Sequence, residues 1–353
     1  MKTLENMETN YGTLRGVTNF DTYPDGQLRS CMLSEENTIE THVGRFTPQY
    51  ATDEFGERQK KHRSSLSFHP NGSIRSAALQ DPAPIQTPLG TFDAELVTFY
   101  QDSAVNRLFP LNGLVNGFWS ENQERMIAKR LNFALSVGDF SAKVIAIHFY
   151  PGGALKSLTL WPGEIIHIQT PIGEMAVRAG FSLHENGSVK SVEPARPMAI
   201  DTPLGTITAF DPDIIGMHAD QNSVQFGPDG ELISLKSLAT GISAIGPDGT
   251  QSRLEPLVLE SLLNSADTRI VALKIDFREY EVDVTDLQTT TFDRRTHQFA
   301  TFPVEVILTS GCGGCGESTT ACENCDGSCE TAEGCANCDG SCGENCVSNR
   351  PNS

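Results

Sequence analysis

Nine of the chain's ten cysteines fall between Cys312 and Cys346. Their spacing is ordered. The octet Cys322-Glu323-Asn324-Cys325-Asp326-Gly327-Ser328-Cys329 returns as Cys335-Ala336-Asn337-Cys338-Asp339-Gly340-Ser341-Cys342. Cys312 and Cys315 form a further Cys-x-x-Cys ahead of the repeats, and Cys346 follows them. A Cys-x-x-Cys loop lets two thiolates reach one metal ion, and the small residues between them leave room. Each repeat supplies three thiols, one short of a tetrathiolate site. The fourth ligand has to come from the other repeat, from Cys346, or from the Cys312/Cys315 pair. Zinc and iron–sulfur clusters both accept such sets. The spacing matches neither the bacterial ferredoxin run nor a zinc finger with His partners. Two other readings stand beside metal binding. Each thiol can be the target of a modifying enzyme, with the upstream domain as its handle. Or the segment is a redox-buffering or disulfide-linked tail without a defined site.

No other catalytic pattern is visible. There is no Gly-x-Ser-x-Gly, no His-Glu-x-x-His, no phosphate loop and no Gly-x-Gly-x-x-Gly opening a helix. His148, His167, His184 and His218 fall in or beside repeated segments and read as solvated strand or turn positions. Trp119 and Trp161 read as core or edge packing, with a stacking surface as the alternative. Cys31 stands alone and reads as a small buried apolar residue. The expectation is a protein that is not an enzyme.

What positions the tail is a chain of short repeated phrases. The clearest is Phe68-His69-Pro70-Asn71-Gly72-Ser73-Ile74-Arg75-Ser76. It returns at 149–157 (FYPGGALKS), 183–191 (LHENGSVKS) and 226–234 (FGPDGELIS), with weaker copies at 23–30 and 245–249 and a degenerate one at 99–107. Pro sets φ for a turn, Asn or Asp suits the next place, and Gly takes the left-handed conformation of a hairpin bulge. The residues after Gly alternate apolar and polar, the period of a strand. A lone hairpin cannot bury its apolar face, so a series of them implies a continuous sheet. A second phrase, Thr-Pro-x-Gly, occurs at Thr87, Thr170 and Thr202, and Thr41-His42-Val43-Gly44 resembles it; Pro at the second position and Gly at the fourth fit a type I turn. Two alternating turn types make an up-and-down meander.

The expected architecture is therefore mainly β. Residues 1–15 form a flexible N-terminus, 16–309 a repeat-built antiparallel β-hairpin sheet or solenoid, and 310–353 a disordered, acidic Cys/Gly-rich tail that buries too little to fold unaided. One or two short helices are expected: 124–135 behind the capping box Ser120-Glu121-Asn122-Gln123, and 256–264 with β structure nearly as well supported. The polar run 51–62 reads as an exposed loop. Strict alternation covers 269–284.

The formal net charge is -19. Seven acids and one base after residue 310 give the tail -6 and leave -13 upstream. That balance argues against nucleic acid and anionic membranes. No apolar run approaches the ~20 residues that span a bilayer, and no secretory signal follows Lys2. A cytoplasmic location is expected, where clustered cysteines point to metal or modification more than to disulfides.

The hairpin phrases across residues 17–250 resemble MORN-type repeats and the antitoxin-like proteins built from them. Those are runs of β-hairpins with an aromatic, a Gly turn and a following strand. The repeats here are longer and uneven, and the Tyr-x-Gly core of a MORN unit is absent. The resemblance implies a scaffold or binding surface rather than a catalyst. The tail resembles in composition the Cys-rich ends of ribosomally made peptide precursors processed by radical-SAM enzymes, which implies a modifying partner.

Overall fold

The computed structural model describes residues 3–50, 56–61, 64–214, 222–260 and 268–305. They are mainly β: one helix and a large antiparallel sheet of 18 strands. Strands neighbouring in sequence mostly neighbour in space. Gly12–Thr22, Leu28–Leu33, Leu66–Phe68, Ile74–Thr87, Gly90–Phe99 and Val105–Phe109 pair in that order. The series continues through Gly138–Phe149, Leu155–Leu160, Gly173–Leu183, Val189–Pro194, Val224–Phe226 and Leu232–Ser237. It ends with Leu273–Phe277, Glu281–Thr285 and Thr289–Asp293. Thr3–Thr9 lies at the other edge, and the two edge strands are not paired with each other.

Seven loops share one hydrogen-bond pattern. They open at Tyr23, His69, Tyr100, Tyr150, His184, Gly227 and Gly246. In each, the first amide donates to the fifth carbonyl and the fourth amide donates to the first carbonyl, at 2.8 to 3.0 Å. The fourth residue has φ between +73 and +86°. Six of the seven are Gly and the seventh is Ser103, because a Cβ is strained there. Ser103→Gly is expected to raise stability by about 0.5–1 kcal/mol, read as a higher urea midpoint at unchanged slope.

The second turn depends on Thr rather than Pro. The Oγ1 of Thr9, Thr41, Thr87, Thr170 and Thr202 donates to the carbonyl of the Gly three residues on, at 2.6 to 2.8 Å. Each also accepts the amide two residues on. Pro merely suits the second place. That explains a copy without Pro at Thr9-Asn10-Tyr11-Gly12, and it corrects the expectation of a flexible N-terminus at 1–15. Residues 3–15 instead form Thr3–Thr9 and the start of Gly12–Thr22, paired in register.

Three further expectations change. The helix is short, Glu121–Ile127, with Ser120 and Gln123 completing the capping box. The stretch from Arg130 to Leu135, expected as its continuation, is a strand paired with Gly138–Phe149. Its Leu131, Phe133 and Leu135 alternate with polar or small residues, a strand period that overrides helix propensity. Leu257–Glu260 is a strand too. The alternating run breaks at Ala272 into Thr268–Val271, which pairs aside, and Leu273–Phe277, which joins the large sheet. The 51–62 loop is also not wholly exposed: Gln59–Lys60 pairs with Gly113–Leu114.

The core follows from register. Leu66, Ala77, Val97, Leu108, Ile147 and Leu158 stand directly opposite one another in successive strands. Phe181, Val192, Val224, Leu235, Ile275 and Val284 extend the same row. All twelve are 0% exposed. Each of the hairpins around the phrases at 68–76, 99–107, 149–157, 183–191 and 226–234 thus contributes one residue from each of its two strands to an unbroken apolar row. The chain divides after Val304.

Candidate functional site

The Ser that closes each phrase lies one residue from the apolar row and so faces the other side of the strand. Ser30, Ser67, Ser76 and Thr98 form a polar row in register. It continues through Arg107, His148, Ser157, Ser182 and Ser191. The hydroxyls bond each other: Ser67 to Ser76 at 2.6 Å and Ser182 to Ser191 at 2.7 Å. Beyond them, Ser234 donates to Asp276 and Thr291 to Asp283, both at 2.7 Å. Only short side chains let hydroxyls on adjacent strands approach this closely. His148 stands opposite Ser157 in the register, a base beside a hydroxyl. Ser157 is 8% exposed.

The first loop residue has a second task. Tyr23 Oη donates to the Phe68 carbonyl, Tyr100 Oη to Phe149 and Tyr150 Oη to Leu183, at 2.8 to 2.9 Å. His69 Nε2 meets the Phe99 carbonyl at 3.0 Å and His184 Nε2 meets Phe226 at 2.9 Å. Every loop is thereby tied to the strand entering the next one. The series stops at Gly227, which has no side chain to reach onward. His184 is thus a structural donor, while His167 is exposed and His148 half-buried. His218 lies outside the described residues.

The densest group of charged residues is buried. Arg58 donates to both oxygens of Glu95, at 3.0 and 2.7 Å, and to both oxygens of Glu124, at 2.7 and 2.8 Å. Each Glu is 3% exposed. Glu124 also accepts from Trp119 Nε1 and the Gly113 amide, and Glu95 from the Asn112 amide. Burial pushes the Glu124 carboxyl up, but the Arg58 and Trp119 hydrogen bonds outweigh it and hold the group below its ordinary range. The same bonds raise Arg58. A second buried carboxylate, Glu193, accepts from the Ser223 and Asp211 amides and faces Arg178 at 3.6 Å. Burial dominates there and raises its pKa. These carboxylates pin loops to the sheet. Nothing in the sequence near Arg58 flagged it as buried; its run of charges looked like a solvated loop.

A cleft of about 390 Å³ opens beside the N-terminal hairpin, lined by Asn10, Tyr11, Glu40, His42, Phe99 and others. Its Tyr11 hydroxyl already accepts the Ile74 amide. Among the described residues, no group of three or more His, Cys, Asp or Glu is placed to hold a metal ion. The nine cysteines named for that role, Cys312 through Cys346, lie outside the described residues. Trp161 is buried, and Trp119 is half-buried against Glu124.

Cys31 is 0% exposed, and burial pushes its thiol up to about 12. The folded state holds this proton while the unfolded chain releases it near the ordinary thiol value. Stability is therefore intact below that value and lost as pH rises above it. Between pH ~7.5 and ~9.5 the loss is expected to be about 1 kcal/mol, and Cys31→Val is expected to remove it. Urea unfolding at the two pH values measures both. No protein family, curated protein or solved structure matches the chain.

Proposed function

We propose that the chain is a non-catalytic β scaffold carrying a thiolate segment, residues 310–353, that binds zinc or an iron–sulfur cluster. The observation that carries this reading is how reactive groups are divided. In the hairpin region the buried carboxylates Glu95, Glu124 and Glu193 and the imidazoles of His69 and His184 make structural hydrogen bonds. Nine thiols with a duplicated Cys-x-x-Cys-x-x-x-Cys are gathered in one short segment. That donor set suits a thiophilic metal. Cys312, Cys315, Cys322, Cys325, Cys329, Cys335, Cys338, Cys342 and Cys346 are the proposed ligands. The repeated turns, stitches and rows support reading the scaffold as a series of structural repeats in the MORN manner. Among the described residues no helix is long and apolar enough to cross a membrane, and a reducing compartment such as the cytoplasm keeps thiols free for metal.

A second reading rests on the duplication itself. Two copies of one local sequence present the same surroundings to a partner enzyme of the radical-SAM kind, with the hairpins as its handle. Mass spectrometry of protein from its native host separates the two. Metal binding predicts a native mass above the sequence mass that chelator removes. Modification predicts a covalent change that survives denaturation and maps to 312–346. An unmodified segment with no metal after anaerobic purification sinks both.

A further inference from the structure

The residue before each closing Ser interrupts the strand ladder. In six consecutive hairpins the register slips there by one residue, so it is the extra residue of a β-bulge. Arg29, Arg75, Asn106, Lys156, Lys190 and Ile233 hold the position. Four are cationic. In the hairpin with Asn106 the next residue, Arg107, is cationic and exposed. Five hairpins in succession therefore carry one cation each, at the bulge or one residue beyond it; Arg29, Arg75 and Arg107 are exposed, Lys156 and Lys190 are half-buried, and Lys156 Nζ lies 5.5 Å from the Tyr150 ring centroid. The bulges fall on every second strand, which sets the cations ~10 Å apart. Arg29 is paired with Asp21 at 3.2 Å with both side chains more than half exposed. Arg75 and Arg107 make no ion pair among the described residues.

We propose that this stripe is a docking surface for an extended acidic polypeptide segment of a partner protein. A chain in the polyproline II conformation rises ~3.1 Å per residue with three residues per turn, so an acid at every third position lies on one side of it and meets each cation. A nucleic acid fits badly: its ~6 charges per 10 Å face one cation here, on a chain of net -19. A membrane plane fits badly too. Adjacent strands rotate by ~20–25°, so five hairpins cannot all face one plane, whereas a flexible chain follows the twist. This surface is independent of the thiols, and its failure leaves the metal reading untouched.

The test uses the full chain and a labelled peptide of five Glu-Gly-Ser repeats, titrated by fluorescence anisotropy. Binding is expected at ~50 mM salt and about tenfold weaker at ~500 mM. The double variant R75E/R107E is expected to bind about tenfold more weakly than the parent, while R45E/K129E, equal in charge change but off the stripe, stays within about twofold. Thermal unfolding checks that both variants fold. No binding at low salt, an equal loss in both variants, or tighter binding of single-stranded DNA in competition would each overturn the proposal.

Discussion

Arg58→Ala is expected to lower stability by about 3–5 kcal/mol, because it strands two carboxylates that are buried and paired with nothing else charged. The size comes from what remains rather than from what is lost. Glu95 and Glu124 keep their amide and indole donors but lose the only cation between them. Two variants separate a stranded charge from lost packing. Arg58→Met keeps the bulk and is expected to be nearly as damaging. Adding Glu95→Gln and Glu124→Gln to it is expected to recover much of the loss, since the carboxylates are then neutral. The pH dependence has a definite sign. The Glu124 pKa is depressed on folding, so in the parent its contribution is present above the ordinary carboxylate value of ~4.3 and disappears as pH falls through the folded value. In Arg58→Ala the Arg58 share of the depression is gone, and burial is opposed only by the Trp119 indole and the Gly113 amide. The variant is then expected to gain stability relative to the parent as pH falls from ~7 to ~5. Urea midpoints at those two values decide it. A variant unfolding at the parent's midpoint at neutral pH would show that the group is not what holds 56–61 to the sheet.

Gly180→Ala is expected to cost about 4 kcal/mol or more, enough that the chain does not accumulate folded. Gly180 has φ +138°, and a Cβ there sits 2.1 Å from the Leu158 carbonyl oxygen. That oxygen belongs to the facing strand, where Thr159 pairs with Gly180, so neither backbone can withdraw without breaking the ladder at the middle of the sheet. The neighbour gives the opposite sign. Ala179 has φ +61°, in the left-handed region, and Ala179→Gly is expected to stabilise by about 0.5–1 kcal/mol. Adjacent positions thus carry effects of opposite direction from one bulge between Arg178 and Phe181. Far-ultraviolet circular dichroism against urea measures both. A well-folded Gly180→Ala protein would mean the two strands are not held in that register.

The hairpins were legible because their cause is local. A Gly at φ near +80° and an Asn or Asp before it leave the same trace wherever they occur. The degenerate loop at Ser103 was legible too, since the residues around it keep the phrase. The Thr-x-x-Gly turn was read through the wrong residue. Pro was the visible cue, but the Thr hydroxyl closes the turn, so the copy at Thr9 went unseen and the N-terminus was expected to be loose. The helix was overextended because a capping box marks where a helix starts and says nothing of where it stops. Among chemical groups, the cysteine cluster was plain from spacing alone, and Cys31 was read as buried from its isolation. The Arg58 group was invisible, because its three members are separated by 37 and 66 residues.

The sequence alone determined the turns, the alternation between them and the place of the thiols, since each depends on residues within a few positions of one another. Tertiary structure decided which residues stand opposite one another. It set Ser67 against Ser76 and Ser182 against Ser191 in one polar row, made the basic residues beside that row into a stripe, and made the half-buried Arg58 of an apparently solvated loop a link between two buried carboxylates. Those outcomes depend on strand register and on desolvation, which arise only when distant segments are brought together.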